Sequence, residues 1–199
     1  APPPAVVQPA APAPLAPAKP VEKPAAAQVK TSIAAASVSP VKASAKVKAP
    51  AAASRSKKGD AVKFVVLKTS MGNIVVRLFR DKAPGTVANF VNLAMGTKEW
   101  TNPDSGKVSR EPLYNGVFFH RVIPKFMIQT GDPSGSGAGK TGFNILSEAT
   151  PEMVFDRPGL VAMATAFDPN SGSTQFFITV AQSLPHINGK YAIFGEVVE

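Results

Sequence analysis

Alternating apolar and polar residues after position 60 predict two paired strands at the start of a folded region. Val62 to Lys68 and Asn73 to Arg80 are rich in β-branched residues, and Thr69 to Gly72 separates them. Two such runs joined by a short turn that ends in glycine are typical of an antiparallel hairpin. We therefore expect the folded region to open with a β-hairpin.

A helical pattern follows the hairpin. Apolar residues recur from Val87 to Ala94 at the i, i+3, i+4 and i+7 spacing that marks one face of an α-helix. Pro84 suits the first helical turn, which tolerates a missing N–H, and Gly96 is typical of a helix end. One amphipathic helix is predicted here.

The remaining pattern consists of short β-type runs separated by loops rich in Gly, Pro, Ser and Asn. The runs are Gly116 to Ile123, Phe126 to Thr130, Gly159 to Ala164, Gln175 to Val180 and Tyr191 to Val198. Glu99 to Glu111 is polar and is predicted to be a surface loop with Trp100 as its packing anchor. Many short strands with turn signals between them indicate a mainly β fold, an antiparallel barrel or sandwich.

The first 60 residues differ in composition from the rest. They hold 11 of the 20 prolines, whereas the 12 Phe, 2 Tyr and 1 Trp residues all lie after position 60. A chain of mostly Ala, Pro and Lys buries too little apolar area to offset the entropy lost on ordering. We expect residues 1–60 to be a disordered tail or linker and residues 61–199 to be one domain.

Charge and apolar runs limit the partners of this chain. The tail carries nine of the 22 Lys and Arg residues against only Glu22 and Asp60. Most of these cations are scattered singly, which favours a spacer over a nucleic-acid-binding segment. No nucleic acid partner is expected. No apolar run approaches the ~18 residues of a membrane span, while an anchor supplied by a removed N-terminal leader stays open.

The chain has no cysteine. This excludes disulfides, thiol nucleophiles and thiolate metal sites, and it is compatible with an oxidising compartment. We slightly favour an extracytoplasmic location, periplasmic or secreted, over the cytoplasm. We also expect a monomer.

Three common chemistries fit the sequence poorly. Gly135 to Thr141 ends in Gly-Lys-Thr like a phosphate-binding loop, but Ser134 stands where that motif needs its first glycine, so we predict a tight loop beside a groove. No Gly-x-Ser-x-Gly elbow indicates a serine hydrolase. His120 is predicted to be a hydrogen-bonded structural residue and His186 a surface or rim residue, so no metal site is expected.

Two neighbouring stretches resemble the signature of the cyclophilins. They are Phe119-His120-Arg121-Val122-Ile123-Pro124 and Phe126-Met127-Ile128-Gln129-Thr130-Gly131-Asp132. Gly159 to Ala166, Asn170 to Phe177 and Ile193-Phe194-Gly195 match the same family in the same order. The resemblance covers nearly all of Val62 to Glu199 and none of the tail.

This resemblance implies a peptidyl-prolyl cis/trans isomerase with an eight-stranded antiparallel barrel and a flanking helix. The family continues past Val198 into another helix and a closing strand, and since these are missing here we expect an incomplete barrel. The resemblance also implies a catalytic pair, Arg121 with Gln129. The residues that it implies for substrate binding are Phe126, Met127 and Phe177 around the proline, Gly135, Ala164, Thr165, Ala166 and Gln175 along the peptide backbone, and Ile187 and Tyr191 on the rim.

Three positions depart from the commonest family pattern. Thr165 replaces an asparagine that binds substrate through its main chain, so little loss is expected. His186 stands where many members have the tryptophan that contacts cyclosporin, which predicts reduced sensitivity to that drug. Tyr191 replaces a groove histidine, as in some bacterial members.

The expected reaction needs no cofactor. Rotation about an X-Pro bond breaks no covalent bond, and its barrier of about 20 kcal/mol comes from amide resonance. A guanidinium can donate a hydrogen bond to the proline nitrogen of the twisted amide, which would be the role of Arg121. The expected partners are proline-containing peptides and unfolded proteins. The alternative is a non-catalytic module, a chaperone or scaffold, that binds proline peptides in the same groove.

Overall fold

The computed structural model describes residues 30–34, as backbone, and residues 64–199. The expectation of a disordered tail over residues 1–60 otherwise lies outside the described residues, and the division at residue 60 stays a prediction. Within the tail, however, Lys30–Ala34 is a β-strand. At these five residues the structure differs from the expectation because their backbone pairs with two strands of the domain.

The described residues form eleven strands and one α-helix. The strands are β1 (Lys30–Ala34), β2 (Phe64–Thr69), β3 (Gly72–Leu78), β4 (Trp100–Thr101), β5 (Val108–Ser109), β6 (Val117–Phe118), β7 (Arg121–Ile123), β8 (Met127–Thr130), β9 (Leu160–Met163), β10 (Phe176–Thr179) and β11 (Ile193–Val197). The helix α1 spans Pro84–Ala94, and 3₁₀ turns span Pro169–Ser171 and Pro185–Ile187.

Nine strands form one antiparallel sheet in the order β6-β1-β2-β3-β11-β9-β10-β8-β7. The two ends of this order, β6 and β7, are separated only by Phe119 and His120. The sheet therefore curls back on itself toward a barrel. This confirms the predicted mainly β fold with a flanking helix. At one side of the sheet, β1 pairs with both β2 and β6.

The predicted hairpin and helix are confirmed. β2 and β3 pair from Phe64↔Arg77 to Thr69↔Gly72, and the Thr69 hydroxyl donates to the Gly72 carbonyl at 2.7 Å. Gly72 has φ +131°, a value that L side chains rarely adopt. Helix α1 begins at Pro84, and a carboxylate from a distant loop, Glu148, accepts hydrogen bonds from the first-turn N–H groups. This places a negative charge at the positive end of the helix dipole.

The predicted surface loop after the helix contains a small hairpin that the sequence pattern did not predict. β4 and β5 pair through Trp100↔Ser109 and Thr101↔Val108. Two-residue strands are too short to show an alternation of apolar and polar residues. Trp100 is buried, as predicted, and its Nε1 donates to the Glu111 carbonyl at 2.9 Å.

Two apolar clusters fill the domain. In the first, the Phe90 ring of α1 contacts the rings of Tyr114, Phe176 and Phe194 at centroid distances of 5.1, 5.3 and 5.3 Å. Burial raises the pKa of Tyr114, whose hydroxyl donates to the Thr174 carbonyl. The second cluster lies under β8, β10 and β11 and contains Met127, Met153, Phe155, Leu160, Ala162, Phe177, Leu184, Ile187 and Ile193. This second cluster supports the candidate site.

Candidate active site

Strand register brings the predicted catalytic pair together. Arg121 of β7 lies opposite Gln129 of β8, and Gln129 lies opposite Phe177 of β10. Residues directly opposite one another in an antiparallel sheet point to the same face. Met127, two residues before Gln129, shares that face. Three neighbouring strands thus present a guanidinium, an amide and two apolar side chains to one surface.

These side chains surround a cavity of about 210 Å³. Its lining comprises Arg121, Phe126, Met127, Gln129, Ala164, Thr165, Phe177 and Tyr191. Edge-to-face packing at 5.3 Å holds the Phe177 and Tyr191 rings, and the Phe126 ring lies 5.8 Å from that of His186. The cavity therefore has an apolar, aromatic wall with one cation at its edge.

Arg121 makes few contacts that would occupy its guanidinium. Its Nη1 donates to Gln129 Oε1 at 3.3 Å. Within residues 64–199, none of the ion pairs involves Arg121; they use Arg77, Arg110 and Arg157 instead. The side chain is solvent-exposed. Most of its N–H donors are thus available to a ligand in the cavity.

A chain of side-chain amides continues from Arg121 across the sheet. The Gln129 Nε2 group donates to Gln175 Oε1 at 2.9 Å, and the Gln175 Nε2 group donates to the Gly137 carbonyl at 3.1 Å. Because each amide donates in one direction, Gln175 holds the oxygen of Gln129 toward Arg121. We call Gln129 and Gln175 the amide relay.

The relay ends on a loop that is wrapped around a buried carboxylate. Asp132 is fully buried and accepts hydrogen bonds from the backbone N–H groups of Ser134, Gly137 and Gly139 at 2.9, 2.6 and 3.0 Å. Burial opposes ionisation, but these bonds outweigh it and hold the pKa of Asp132 below its usual value. A Cβ at Gly139 would lie 2.1 Å from Asp132 Oδ1, so only glycine fits there.

This loop is the stretch that resembles a phosphate-binding motif in sequence. Its N–H groups already serve the Asp132 carboxylate, so they are not free to bind an anion. Gly137 and Gly139 line a second, larger cavity of about 700 Å³. The prediction of a tight loop beside a groove is confirmed.

The larger cavity continues from the smaller one. Both cavities are lined by Gln129, Ala164 and Thr165. The other residues that line the larger cavity are Gly137, Gly139, Lys140, Thr141, Gly142, Phe143, Asn144, Ala166, Ser171, Ser173 and Gln175. The two cavities form one extended groove with the amide relay near its middle.

His120 lies beneath the Asp132 loop. A Cβ at Gly137 would meet its ring at 3.2 Å, and both ring nitrogens are buried without a hydrogen-bond partner among the described residues. The burial of the ring is consistent with the predicted structural role. Burial lowers the pKa of His120, and the nearby Asp132 carboxylate opposes that shift.

Most of the predicted site residues meet in the groove, but two do not. Ile187 was expected on the rim, whereas the structure buries it to 7% exposure in the apolar cluster that contains Met127 and Phe177. Gly135 packs toward Phe118 and lines neither of the two cavities. His186 is exposed beside Phe126, as expected for a surface or rim residue.

The sequence did not identify the wall of the larger cavity from Lys140 to Asn144. The only signal for it was the glycine-rich stretch before Lys140, which indicated a groove but not its lining. Within the described residues, no group of three or more His, Asp or Glu side chains is arranged to hold a metal ion. No helix of that part of the chain is long and apolar enough to cross a membrane.

Comparisons with known proteins identify the family of the domain. The family model for cyclophilin type peptidyl-prolyl cis-trans isomerase/CLD matches residues 64–199. Peptidyl-prolyl cis-trans isomerase B of Streptomyces anulatus is 48% identical over 134 residues, which are 67% of this chain and 75% of that protein. Peptidyl-prolyl cis-trans isomerase A of Mycobacterium tuberculosis is 48% identical over 133 residues, 67% of this chain and 72% of that protein.

A solved structure shows the same fold. The crystal structure of a Cryptosporidium parvum cyclophilin type peptidyl-prolyl cis-trans isomerase, determined in the presence of the dipeptide Ala-Pro, aligns with a TM-score of 0.56 and 34% sequence identity. The alignment covers 68% of this chain and 78% of that one. Sequence motifs and fold agree with these relatives, and the chain belongs to the cyclophilin-type peptidyl-prolyl cis-trans isomerases.

Proposed function

We propose that this isomerase binds an X-Pro segment with the proline ring in the 210 Å³ cavity and lowers the rotation barrier through Arg121. The observation that carries this proposal is the position of Arg121. Its guanidinium lies at the edge of an apolar cavity, and no acidic side chain among residues 64–199 forms an ion pair with it. A cation held in this way can interact with the substrate instead.

The chemistry requires stabilisation of the twisted amide and not of the planar one. As the C–N bond turns, conjugation is lost and the proline nitrogen becomes a hydrogen-bond acceptor. Raising a rate of about 0.01 per second to about 1,000 per second removes roughly 7 kcal/mol from the barrier. A hydrogen bond from a charged donor contributes about 1.5 to 3 kcal/mol, and more where water is excluded.

The remaining reduction of the barrier comes from the apolar wall, which holds one half of the rotating bond in place. The cavity volume of about 210 Å³ equals about seven water-sized groups at ~30 Å³ each, which is enough for the five-membered ring of proline. Met127 and Phe177 are buried at its floor. With the ring held there, the acyl side of the bond turns while the proline stays fixed.

The residue before proline would lie along Ala164 and Thr165, which line both cavities. The small side chains at Ala164 and Ala166 leave room for a peptide backbone. Since the Cryptosporidium parvum relative was crystallised in the presence of Ala-Pro, an Ala-Pro peptide is the appropriate first substrate. We extend this to proline-containing segments of unfolded proteins.

The test is a protease-free isomerisation assay of an Ala-Pro peptide with Arg121→Ala. We expect kcat to fall by roughly 10- to 160-fold, the equivalent of about 1.5 to 3 kcal/mol, with the fold intact by circular dichroism. Arg121→Lys keeps the charge but loses the planar fork of the guanidinium, so its kcat should lie between those of the wild type and Arg121→Ala. Arg110→Ala is the matched control, since Arg110 is an exposed arginine paired with Glu99.

Wild-type kcat in Arg121→Ala would refute the proposed role of the guanidinium. Peptide binding measured on the same samples separates catalysis from mere retention of the peptide. Binding without any rate enhancement by the wild-type chain would favour the non-catalytic module instead.

A further inference from the structure

A third cavity, of about 520 Å³, adjoins the groove. It shares Thr165 and Tyr191 with the 210 Å³ cavity, and Thr165 and Ala166 with the 700 Å³ cavity. The other residues that line it are Ser147, Ala149, Phe167, Pro169, Gly189 and Lys190. The groove therefore consists of three cavities that meet at Thr165.

The charged side chains that line this groove all have the same sign. Each cavity has one charged lining residue, which is Arg121 in the 210 Å³ cavity, Lys140 in the 700 Å³ cavity and Lys190 in the 520 Å³ cavity. No Asp or Glu lines any of these three cavities. A cleft lined by charges of one sign focuses the electrostatic field, so this groove attracts anionic groups.

The two lysines are available to a ligand. Both side chains are exposed to solvent. Among residues 64–199, neither lysine forms an ion pair or a side-chain hydrogen bond, and the ion pairs use Arg77, Arg110 and Arg157 instead. An acidic ligand would therefore not have to displace a carboxylate of the domain from Lys140 or Lys190.

The acidic residues that lie next to the groove in sequence accept hydrogen bonds from backbone N–H groups. Glu148 accepts from the first turn of α1 at 2.9 and 2.7 Å. Asp168 accepts from the Asn170 N–H at 2.8 Å, and Asp132 accepts from the N–H groups of its own loop. These three carboxylates are thus held away from the lysines of the groove.

We infer that the substrates of this isomerase are X-Pro segments with acidic side chains close to the proline, and that Lys140 and Lys190 select them. This inference rests on the proposed function, because it takes the proline ring to lie in the cavity beside Arg121. With the preceding residue along Ala164 and Thr165, the next residue upstream reaches the 700 Å³ cavity, where Lys140 is the only charged lining residue. A second acidic residue near the proline can pair with Lys190. Complementary charge of this kind gives specificity and faster association.

The same cations disfavour the proline-rich part of the chain itself as a ligand. The first 60 residues contain 11 prolines, and they carry nine Lys or Arg residues against two acidic ones. Tethering to the domain raises the effective concentration of such a segment at the groove. Repulsion between like charges opposes its binding and so selects against the wrong ligand.

Three peptides with the same Ala-Pro core test this preference in the protease-free isomerisation assay. They are Glu-Ala-Pro-Glu, Gln-Ala-Pro-Gln and Lys-Ala-Pro-Lys. The readout is the ratio of kcat/KM for the glutamate peptide to kcat/KM for the glutamine peptide, which a general change in activity does not alter. One exposed ion pair is equivalent to roughly a two- to fivefold change, so two pairs predict a wild-type ratio of about 4 to 25. The lysine peptide should be the poorest substrate, and raising the salt from about 0.05 M to about 0.5 M should lower the ratio through screening.

Charge reversal assigns the preference to the two lysines. Lys140→Glu and Lys190→Glu should each lower the ratio at least about twofold, and the double variant should prefer the lysine peptide. Lys68→Glu is the matched control, since Lys68 is an exposed lysine of β2 that lines none of the three cavities. It changes the net charge equally and should keep the wild-type ratio.

A wild-type ratio of one would overturn the inference. An equal fall of the ratio in Lys68→Glu and in the two groove variants would also overturn it, because the preference would then come from overall charge. The proposed function fails separately, if the wild type turns over none of the three peptides. In that case the dissociation constants of the same peptides decide: equal affinity for the glutamate and glutamine peptides refutes the inference, and tighter binding of the glutamate peptide supports it for a groove that binds without catalysis.

Discussion

The amide relay makes a prediction that depends on the direction of its hydrogen bonds. Gln175→Leu removes the acceptor for Gln129 Nε2 at 2.9 Å and the donor to the Gly137 carbonyl at 3.1 Å. The first loss matters for catalysis because it lets the Gln129 amide rotate and turn its NH₂ group toward the guanidinium. One side-chain hydrogen bond contributes about 1 kcal/mol, so we expect kcat to fall by about fivefold.

The isomerisation assay with an Ala-Pro peptide measures this effect as separate kcat and KM values. Gln175→Glu is the comparison variant, since it keeps an acceptor for Gln129 while it loses the donor to Gly137 and adds a negative charge. It should retain kcat near the wild-type value. Gln129→Leu removes the direct acceptor of Arg121 Nη1 and should cost at least as much as Gln175→Leu.

A double-mutant cycle isolates the coupling. If Gln175 acts only through Gln129, then adding Gln175→Leu to Gln129→Leu should cause no further loss of kcat. Additive losses would show that Gln175 acts independently. Wild-type kcat in Gln175→Leu, or equal impairment of the Leu and Glu variants, would refute the positioning role.

Three further predictions concern stability. Burial lowers the pKa of His120 in the folded chain, so at acidic pH the unfolded chain binds a proton more readily and the free energy of unfolding should decrease as the pH falls. Urea titrations at several pH values should show a weaker decrease in His120→Gln. The same pH dependence in both proteins would contradict this prediction. Gly139→Ala forces a Cβ against Asp132 and should lower the free energy of unfolding by about 1 to 3 kcal/mol. Wild-type stability of this variant would show that the loop can shift. Phe177→Ala removes a ring that is only 5% exposed and should lower the free energy of unfolding by about 3 to 5 kcal/mol. The same change should raise KM for the Ala-Pro peptide. An unchanged KM would argue against a proline pocket at Phe177.

Local patterns predicted the elements well. The hairpin turn at Gly72, the helix from Pro84 and the short strands all follow from spacing and turn chemistry, which act over a few neighbouring residues. The burial of Trp100 was also predicted from its place in a polar loop. Strand ends shifted by at most two residues, because pairing partners and not the segment itself decide where a ladder stops.

Burial of individual side chains was less predictable. Ile187 was expected on the rim, but it lies in a 3₁₀ turn that packs it against the cluster under the cavity. Its sequence neighbours, His186 and Asn188, give no period from which a buried face could be inferred. The ring nitrogens of His120 are buried, which is consistent with the predicted structural role.

By itself, the sequence determined the mainly β domain, the helix and the motif residues Arg121, Gln129 and Phe177. Only the tertiary structure decided that Gln175 orients Gln129, that the glycine-rich loop encloses Asp132, and that Lys30–Ala34 adds a strand to the sheet. The physical reason is range: turns and amphipathic faces arise within a few residues, whereas register, hydrogen-bond direction and strand partners depend on backbone groups far apart in the chain that meet only when the barrel forms.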